Sequence, residues 1–359
     1  MMLHVALRHD FGGFAVDVDF TAPKGVTALF GASGAGKTTV VNAVAGLFSP
    51  DQGRIEAQGT PLFDSETGLN LPSRKRRVGY VFQEPRLFPH LSVRANLLYG
   101  ARFAPHDATG PDFDSVIAML GIGALLDRRP GALSGGEKSR VSLGRALLSK
   151  PRMLLMDEPL AALDAPRREE ILPFLESLRD AGMPVLLVSH SMAEVARLAS
   201  TVVLLDRGRV AASGPTNQIL SDPALAPRFG GAEAGTILTA RRIGPDADGL
   251  IRLETAGGPI WVTEAPAAAH LRLRIHASDV ILSRDAPSGL SALNILSGTV
   301  RRIEAEPNGR AFVQIAIGAE TILSRVTQRS VQALGLAPGV ACHAILKSVA
   351  VSRDDLSRM

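Results

Sequence analysis

Residues 31 to 38 read GASGAGKT, a complete match to G-x-x-x-x-G-K-[ST]. The match follows a short apolar run, VTALF, and leads into TTVVNAVAGLF, which has helical spacing. The glycines let backbone N–H groups turn inward around phosphate, and the start of the following helix adds partial positive charge. Such a loop works only between a buried strand and a helix, so it commits this part of the chain to an α/β fold of the P-loop NTPase type. Gly31, Ala32, Ser33, Gly34, Ala35, Gly36, Lys37, Thr38 and Thr39 are the candidate nucleotide-binding residues. Lys37 is expected at the β- and γ-phosphates of ATP, and the Thr38 hydroxyl on Mg²⁺.

A second apolar run, RMLLMDEP, ends in Asp157 and Glu158. An Asp at a strand end places a carboxylate beside the metal, and the Glu after it is placed to polarise water for attack on the γ-phosphate. PVLLVSH ends in His190 and GYVFQ in Gln83, both at strand ends, where open α/β sheets hold ligands. On the residues alone, His190 is either a site residue or an ordinary surface histidine. Gln83 is a contact to metal or attacking water, or an ordinary surface residue. Residues 133 to 140, LSGGEKSR, form another glycine-rich turn entering a helix, with Ser134 in capping position.

RMLLMDE, PVLLVSH and TVVLLD are continuously apolar, as expected of strands buried on both faces. From about residue 84 to 150 the texture changes to loops and amphipathic helix, which predicts a helical subdomain inserted in the sheet. Residues 215 to 235 are rich in Pro, Gly and Ala, the composition of a linker. Beyond them the chain reads as β throughout and repeats itself: TARRIGPDADGLIRLETAGG from Thr239 lies on TVRRIEAEPNGRAFVQIAIG from Thr299 without a gap. Asp248-Gly249 and Asn308-Gly309 are type I′ hairpin signals, and two such β units are expected to close into a small OB-like barrel. The expected division is an ATP-binding domain over 1–230 and an all-β domain over 236–359, with a distinct module at about 289–355.

Composition removes several function classes. Aromatic residues make up 4%, too few for a base-stacking platform. Cys342 is the only cysteine, so neither an internal disulfide nor a cysteine metal cluster can form. No apolar run has the length of a membrane helix, and the first twenty residues alternate like a strand rather than forming a signal peptide. A cytosolic location is expected unless something else tethers the chain to a membrane.

Taken together, these pieces resemble the ATP-binding cassette (ABC) transporter ATPases over roughly residues 1 to 230. GASGAGKT resembles the Walker A loop, VFQ the Q-loop at Gln83, LSGGE the family signature and RMLLMDEP the Walker B strand. LAALDA resembles the D-loop at Asp164 and VSH the H-loop at His190. The resemblance implies a head-to-tail homodimer in which ATP lies between the Walker A loop of one subunit and the signature of the other. Ser134, Gly135 and Gly136 would then serve the partner's nucleotide. It also implies an aromatic stacked on adenine, with Phe11 the candidate and Phe14 the alternative. Catalysis would rest on Glu158, His190 and Gln83, and Mg²⁺ on Thr38, Gln83 and Asp157.

The stretch RRVGYVFQEPRLFPHLSVRANLLYG is similar to importer ATPases, whose Q-loop region receives a cytoplasmic helix of a membrane permease. SALNILSGTV and AILKSV are similar to the oxyanion-binding module of molybdate importer ATPases. That likeness implies molybdate (or tungstate) as cargo, with Ser291, Asn294, Lys347 and Ser348 as oxyanion candidates. Leu293 departs from the arginine of the module's usual Ser-Ala-Arg-Asn. The departure keeps open an importer for sulfate, ferric iron or a sugar. Expected partners are a second copy, integral-membrane permease subunits and, indirectly, an extracytoplasmic binding protein, at the cytoplasmic face of the inner membrane. Nucleic acid is not expected, because the chain has one cassette and no sustained heptads.

Overall fold

The computed structural model describes residues 3–358 apart from 106–107, 162, 181, 232, 247 and 352–354. Ala162 of the D-loop stretch and residues 352–354, near the end of the module expected at about 289–355, therefore lie outside the described residues. The chain divides into two compact bodies, Met1–Ser191 with Leu198–Ser213, and Met192–Arg197 with Gly214–Met359. The second body starts ahead of the expected 230/236 junction. It also takes in most of the helix that follows His190.

The first body is built on one sheet. Its antiparallel part comprises β1 (Leu3–Asp10), β2 (Ala15–Ala22), β4 (Gln52–Ala57), β5 (Thr60–Asp64) and β6 (Leu69–Asn70). Its parallel part runs in spatial order β10 (Thr201–Asp206), β3 (Val26–Phe30), β9 (Val185–Val188), β8 (Met153–Asp157) and β7 (Val78–Val81). The parallel strands are the continuous apolar runs of the sequence, and β3, β8 and β9 are buried at every residue. β11 (Arg209–Pro215) joins the two parts through Arg209 opposite Asp17. Helix α1 (Lys37–Ala45) buries Val40, Val41, Ala43 and Val44 in the core beneath.

Between β7 and β8 the chain forms α2 (Val93–Tyr99), α3 (Phe113–Leu120) and α4 (Gly135–Leu148), the expected helical insertion. They pack closely because of Gly144: a Cβ there would sit 2.8 Å from Leu97 and 3.0 Å from Leu120. Ser134 caps α4, accepting from the Glu137 amide at 3.3 Å, while the Glu137 carboxylate accepts from the Ser134 amide at 2.7 Å. After β8 come α5 (Ala165–Asp180) and, after β9, α6 (Met192–Leu198).

The Pro/Gly/Ala-rich stretch from 215 is not a free linker. It forms α7 (Thr216–Ser221) and a 3-10 turn over Ala226–Phe229, with Ile219, Leu220, Ala226 and Phe229 buried. Gln314 Nε2 donates to the Ser221 carbonyl at 2.8 Å. Four buried side chains outweighed the turn-like composition.

From Gly235 onward the second body is mainly β and made of two repeats. The first contributes β12 (Gly235–Pro245), β13 (Ile251–Thr255), β14 (Gly258–Val262), β15 (His270–His276) and β16 (Ile281–Ser283). The second contributes β17 (Asn294–Glu306), β18 (Arg310–Ile317), β19 (Glu320–Thr327), α8 (Gln328–Ala333), β20 (Ala341–Leu346) and β21 (Leu356–Arg358). The sheets run β14-β13-β12-β15-β21 and β16-β20-β17-β18-β19. Reading the second backwards gives the same arrangement, with one difference: the repeats have exchanged their last strands. β16 pairs with β20, Leu282 opposite Ala344, and β21 pairs with β15, Leu356 opposite Leu273. One apolar core, including Leu238, Leu253 and Leu271 from the first sheet and Leu296, Val313 and Ile315 from the second, lies between them.

Both repeat hairpins are one residue longer than the two-residue turn their Asp-Gly and Asn-Gly pairs signal. The Asp246 amide donates to the Leu250 carbonyl, and Glu306 faces Arg310. Asn308 and Gly309 still take the left-handed conformation, at φ 67° and 71°.

Candidate functional site

Four neighbouring parallel strands, β3, β9, β8 and β7, deliver their C-terminal ends to one edge of the sheet. From β3 comes the glycine loop, from β9 His190, from β8 Asp157 and Glu158, and from β7 Gln83. Strand order alone therefore brings together residues scattered between 31 and 190.

The loop needs glycine at its entry: a Cβ on Gly31 would lie 2.3 Å from the Leu205 carbonyl oxygen. Gly36 caps α1 at φ 98°, and a Cβ there would meet Val16 at 3.0 Å. Lys37 Nζ donates to the carbonyls of Gly31 and Ala32 at 2.7 and 2.9 Å, so its ammonium lies within the loop. Burial pushes the Lys37 pKa down against the opposing pull of Glu158 and Asp157.

Thr38 Oγ1 donates to Asp157 Oδ2 at 3.1 Å. Asp157 is 4% exposed, and burial pushes its carboxyl pKa up, with the Thr38 hydrogen bond opposing. A hydroxyl and a carboxylate at this separation are hard oxygen donors of the kind Mg²⁺ takes. The nucleotide and metal thus fit the residues present: an anion cradle that side chains would fill, a lysine in it, and an oxygen pair at its edge.

Glu158 holds a left-handed backbone at φ 50°, uncommon for a residue with a side chain. Its amide donates to the Val188 carbonyl at 2.9 Å, which pins the turn to β9. The turn aims the carboxylate between two neighbours: His190 Nδ1 lies 3.1 Å from Oε1, and Gln83 Nε2 donates to Oε2 at 3.1 Å. All three predicted catalytic residues therefore form one chain of contacts beside Thr38 and Asp157.

Phe14 packs against the loop, its ring tip 3.6 Å from where a Gly36 Cβ would be. Phe11 is 51% exposed and lies parallel to Phe14, with ring centroids 6.4 Å apart. Exposed Ser134 and Gly135 and half-buried Gly136 open α4. Among the described residues, no hydrogen bond joins these three to the glycine loop. Asp164 accepts from the Arg167 amide at 3.0 Å, opening α5.

In the second body, Asn294 is fully buried and ties the start of β17 to β14. Its Oδ1 accepts from the Trp261 amide at 2.7 Å, and its Nδ2 donates to the Trp261 carbonyl at 3.0 Å. Nδ2 also reaches the buried Ser348 hydroxyl at 3.5 Å. Ser291, Leu293 and Lys347 are exposed. Asn294 and Ser348 thus meet, with Asn294 as a structural anchor.

Sequence reasoning missed two residues. Arg76 is buried at the C-terminus of α1 and donates to the Ala43, Val44 and Leu71 carbonyls and to Asn70 Oδ1. Tyr80 on β7 donates its hydroxyl to Asn42 Oδ1 on α1 at 3.0 Å. Both lie in the stretch RRVGYVFQEPRLFPHLSVRANLLYG, from which only Gln83 was singled out; the signal was an arginine just ahead of the short apolar strand β7 and a tyrosine within it.

Comparison with known proteins places this geometry. The ABC transporter family model matches residues 16–161, and the TOBE domain model residues 290–352. The chain is 47% identical over 360 residues to the molybdenum import ATP-binding protein ModC of Paramagnetospirillum magneticum, covering 99% of each. It is 49% identical over 357 residues to the protein of the same name from Rhizobium meliloti, covering 98% of this chain and 99% of the relative. Among solved structures, a dimeric ATP-binding cassette in a post-hydrolysis state bound to ADP and Pi has a TM-score of 0.50 at 23% identity. The match covers 60% of this chain and 98% of that one. It shows the fold of the first body.

Proposed function

The chain belongs to the ABC transporter family of molybdenum import ATP-binding proteins, and from that premise we propose that it hydrolyses ATP to drive molybdate uptake through a membrane permease. The observation that carries the hydrolytic half is the placement of Glu158 between Gln83 and His190, one residue beyond the Thr38–Asp157 pair.

The glycine loop and Lys37 bind the phosphates of ATP, and Phe11 stacks on the adenine at the rim beside Phe14. Thr38, Asp157 and Gln83 hold Mg²⁺, which when bound neutralises charge on the phosphate oxygens. Glu158 accepts a proton from the attacking water, and Gln83 and His190 orient its carboxylate. Water adds to the γ-phosphorus as the bond to the β-phosphate oxygen breaks, giving ADP and phosphate. In a head-to-tail dimer, Ser134, Gly135 and Gly136 donate to the γ-phosphate of the partner subunit's nucleotide, with Asp164 near the interface.

Among the described residues no helix is long and apolar enough to cross a membrane. The chain works peripherally, at the cytoplasmic face of the inner membrane beneath its permease subunits. The molybdate candidates Ser291, Lys347 and Ser348 sit in the TOBE region, with Asn294 fixing the loop they flank.

Two experiments test the reading. In the host, loss of the gene should abolish high-affinity molybdate uptake and spare sulfate uptake. Wild type should restore it, and Glu158→Gln should not. Calorimetric titration of the purified chain should show molybdate and tungstate binding that Lys347→Ala removes. Sulfate uptake lost in place of molybdate would move the cargo to the alternative reading.

A further inference from the structure

We infer that Tyr80 is a positioning residue for ATP hydrolysis, setting the distance between the phosphate-binding helix and the strand that carries Gln83; the inference rests on the ATPase reading above. Tyr80 is half-buried on β7, its ring stacked on Phe82 with centroids 3.9 Å apart and planes at 23°. Its hydroxyl donates to Asn42 Oδ1 at 3.0 Å. Burial, with help from Asp157, pushes its pKa up, so the hydroxyl keeps the proton it donates.

Asn42 stands one helical turn after Thr38 on α1, so the two share a face of the helix. Thr38 bonds Asp157 at the end of β8. β8 lies beside β7 in parallel register, Leu155 opposite Tyr80 and Met156 opposite Val81. Glu158 bonds Gln83, two residues beyond Val81. The contacts close a ring: Tyr80, Asn42, Thr38, Asp157, Glu158, Gln83 and back along β7. α1 is thereby tied to β7 through side chains at two heights, at Asn42 and, through the carboxylates, at Thr38. With the lower tie removed, α1 keeps its phosphate loop but is held to Gln83 only through Thr38 and the two carboxylates.

Tyr80 also forms part of the wall of a groove of about 300 Å³, shared with Phe82, Arg86, Phe88 and Arg145. The same side chain therefore touches a surface groove and the helix that starts at Lys37. A change at the groove wall has a one-residue route to the phosphates.

Tyr80→Phe keeps the ring, the stack and the groove wall while removing the hydroxyl. In the full-length protein, kcat for ATP should fall roughly tenfold, as expected for a small misplacement of catalytic groups. ATP affinity, measured by equilibrium titration, should stay within about twofold, because the glycine loop is untouched. Asn42→Ala should give the same loss, and the double variant no more than either alone. Tm and gel filtration identify any loss that merely follows the folded fraction. A wild-type kcat in Tyr80→Phe, multiplying losses in the double variant, or a loss carried by ATP affinity would overturn the inference. Glu158→Gln is assayed alongside: if it still turns over, the reading of the site fails, whatever Tyr80 does.

Discussion

Replacing Asn294 by alanine tests whether one amide holds the two C-terminal repeats in register. The side chain is fully buried and satisfies both the amide and the carbonyl of Trp261 on the other repeat, at 2.7 and 3.0 Å. The 3.5 Å approach to Ser348 adds little. Alanine leaves two half-buried backbone groups without their side-chain partner, each costing about 1–3 kcal/mol where water does not replace it. Water entering the space left by the amide offsets part of this, so the expected loss is about 3 kcal/mol. With a urea dependence of at most about 3 kcal/mol/M, the unfolding midpoint of this body should fall by about 1 M or more. Trp261 is the only tryptophan in the chain, and its Nε1 donates to Asp246 at 2.6 Å. Its fluorescence therefore reports this body and no other. A midpoint shift below about 0.3 M would refute the reasoning, since the amide would then be worth no more than an exposed side chain.

Glu158→Gln should bind ATP as wild type does and lose turnover by about a hundredfold or more, checked by phosphate release alongside nucleotide titration. Ser134→Ala should impair hydrolysis while sparing ATP binding to the monomer. Mixing it with Lys37→Ala should restore activity at the one composite site whose two halves are intact; no recovery at any mixing ratio contradicts the head-to-tail dimer. Asp157, raised by burial, takes its proton at a higher pH than an ordinary carboxylate. The Mg²⁺ dependence of hydrolysis should therefore weaken on acidification before ordinary carboxylates titrate. Lys37, lowered by burial, loses its proton at a lower pH than a free lysine. Polyphosphate beside it reverses that shift, so ATP binding on the alkaline side should take up protons. Calorimetry in two buffers of different ionisation heat measures this, and proton release would contradict it.

The nucleotide site was legible because each of its parts ends an apolar run: Phe30, Val81, Asp157 and Val188 all close strands of the parallel sheet. A strand buried on both faces announces itself without its neighbours. The antiparallel pairing of β1 with β4 is set by a partner far along the chain, and half-exposed alternating strands do not name theirs. The repeat was visible, yet the exchange of β16 and β21 was not, because three residues carry too little pattern to choose a sheet. Thr216–Ser221 was hidden by Pro215 and the glycines around it. Tyr80 and Arg76 escaped because their hydrogen-bond partners are backbone carbonyls and two asparagines, with no charged partner to mark them.

The exchanged strands also set a timetable for the growing chain. As the ribosome extends the protein, the first repeat emerges with β12 to β15 in order, but the edge of β15 has no partner until residues 356–358 have been made. β16 meanwhile waits for β20. Neither repeat can finish before the other has appeared, so the C-terminal body closes in one late event. Through all of that time the P-loop sheet, whose last strand ends by Pro215, already has every residue it needs to fold. A protein stalled or cleaved just short of Leu356 would carry a finished nucleotide site, one C-terminal sheet with all its strands and one that ends in the open edge of β15.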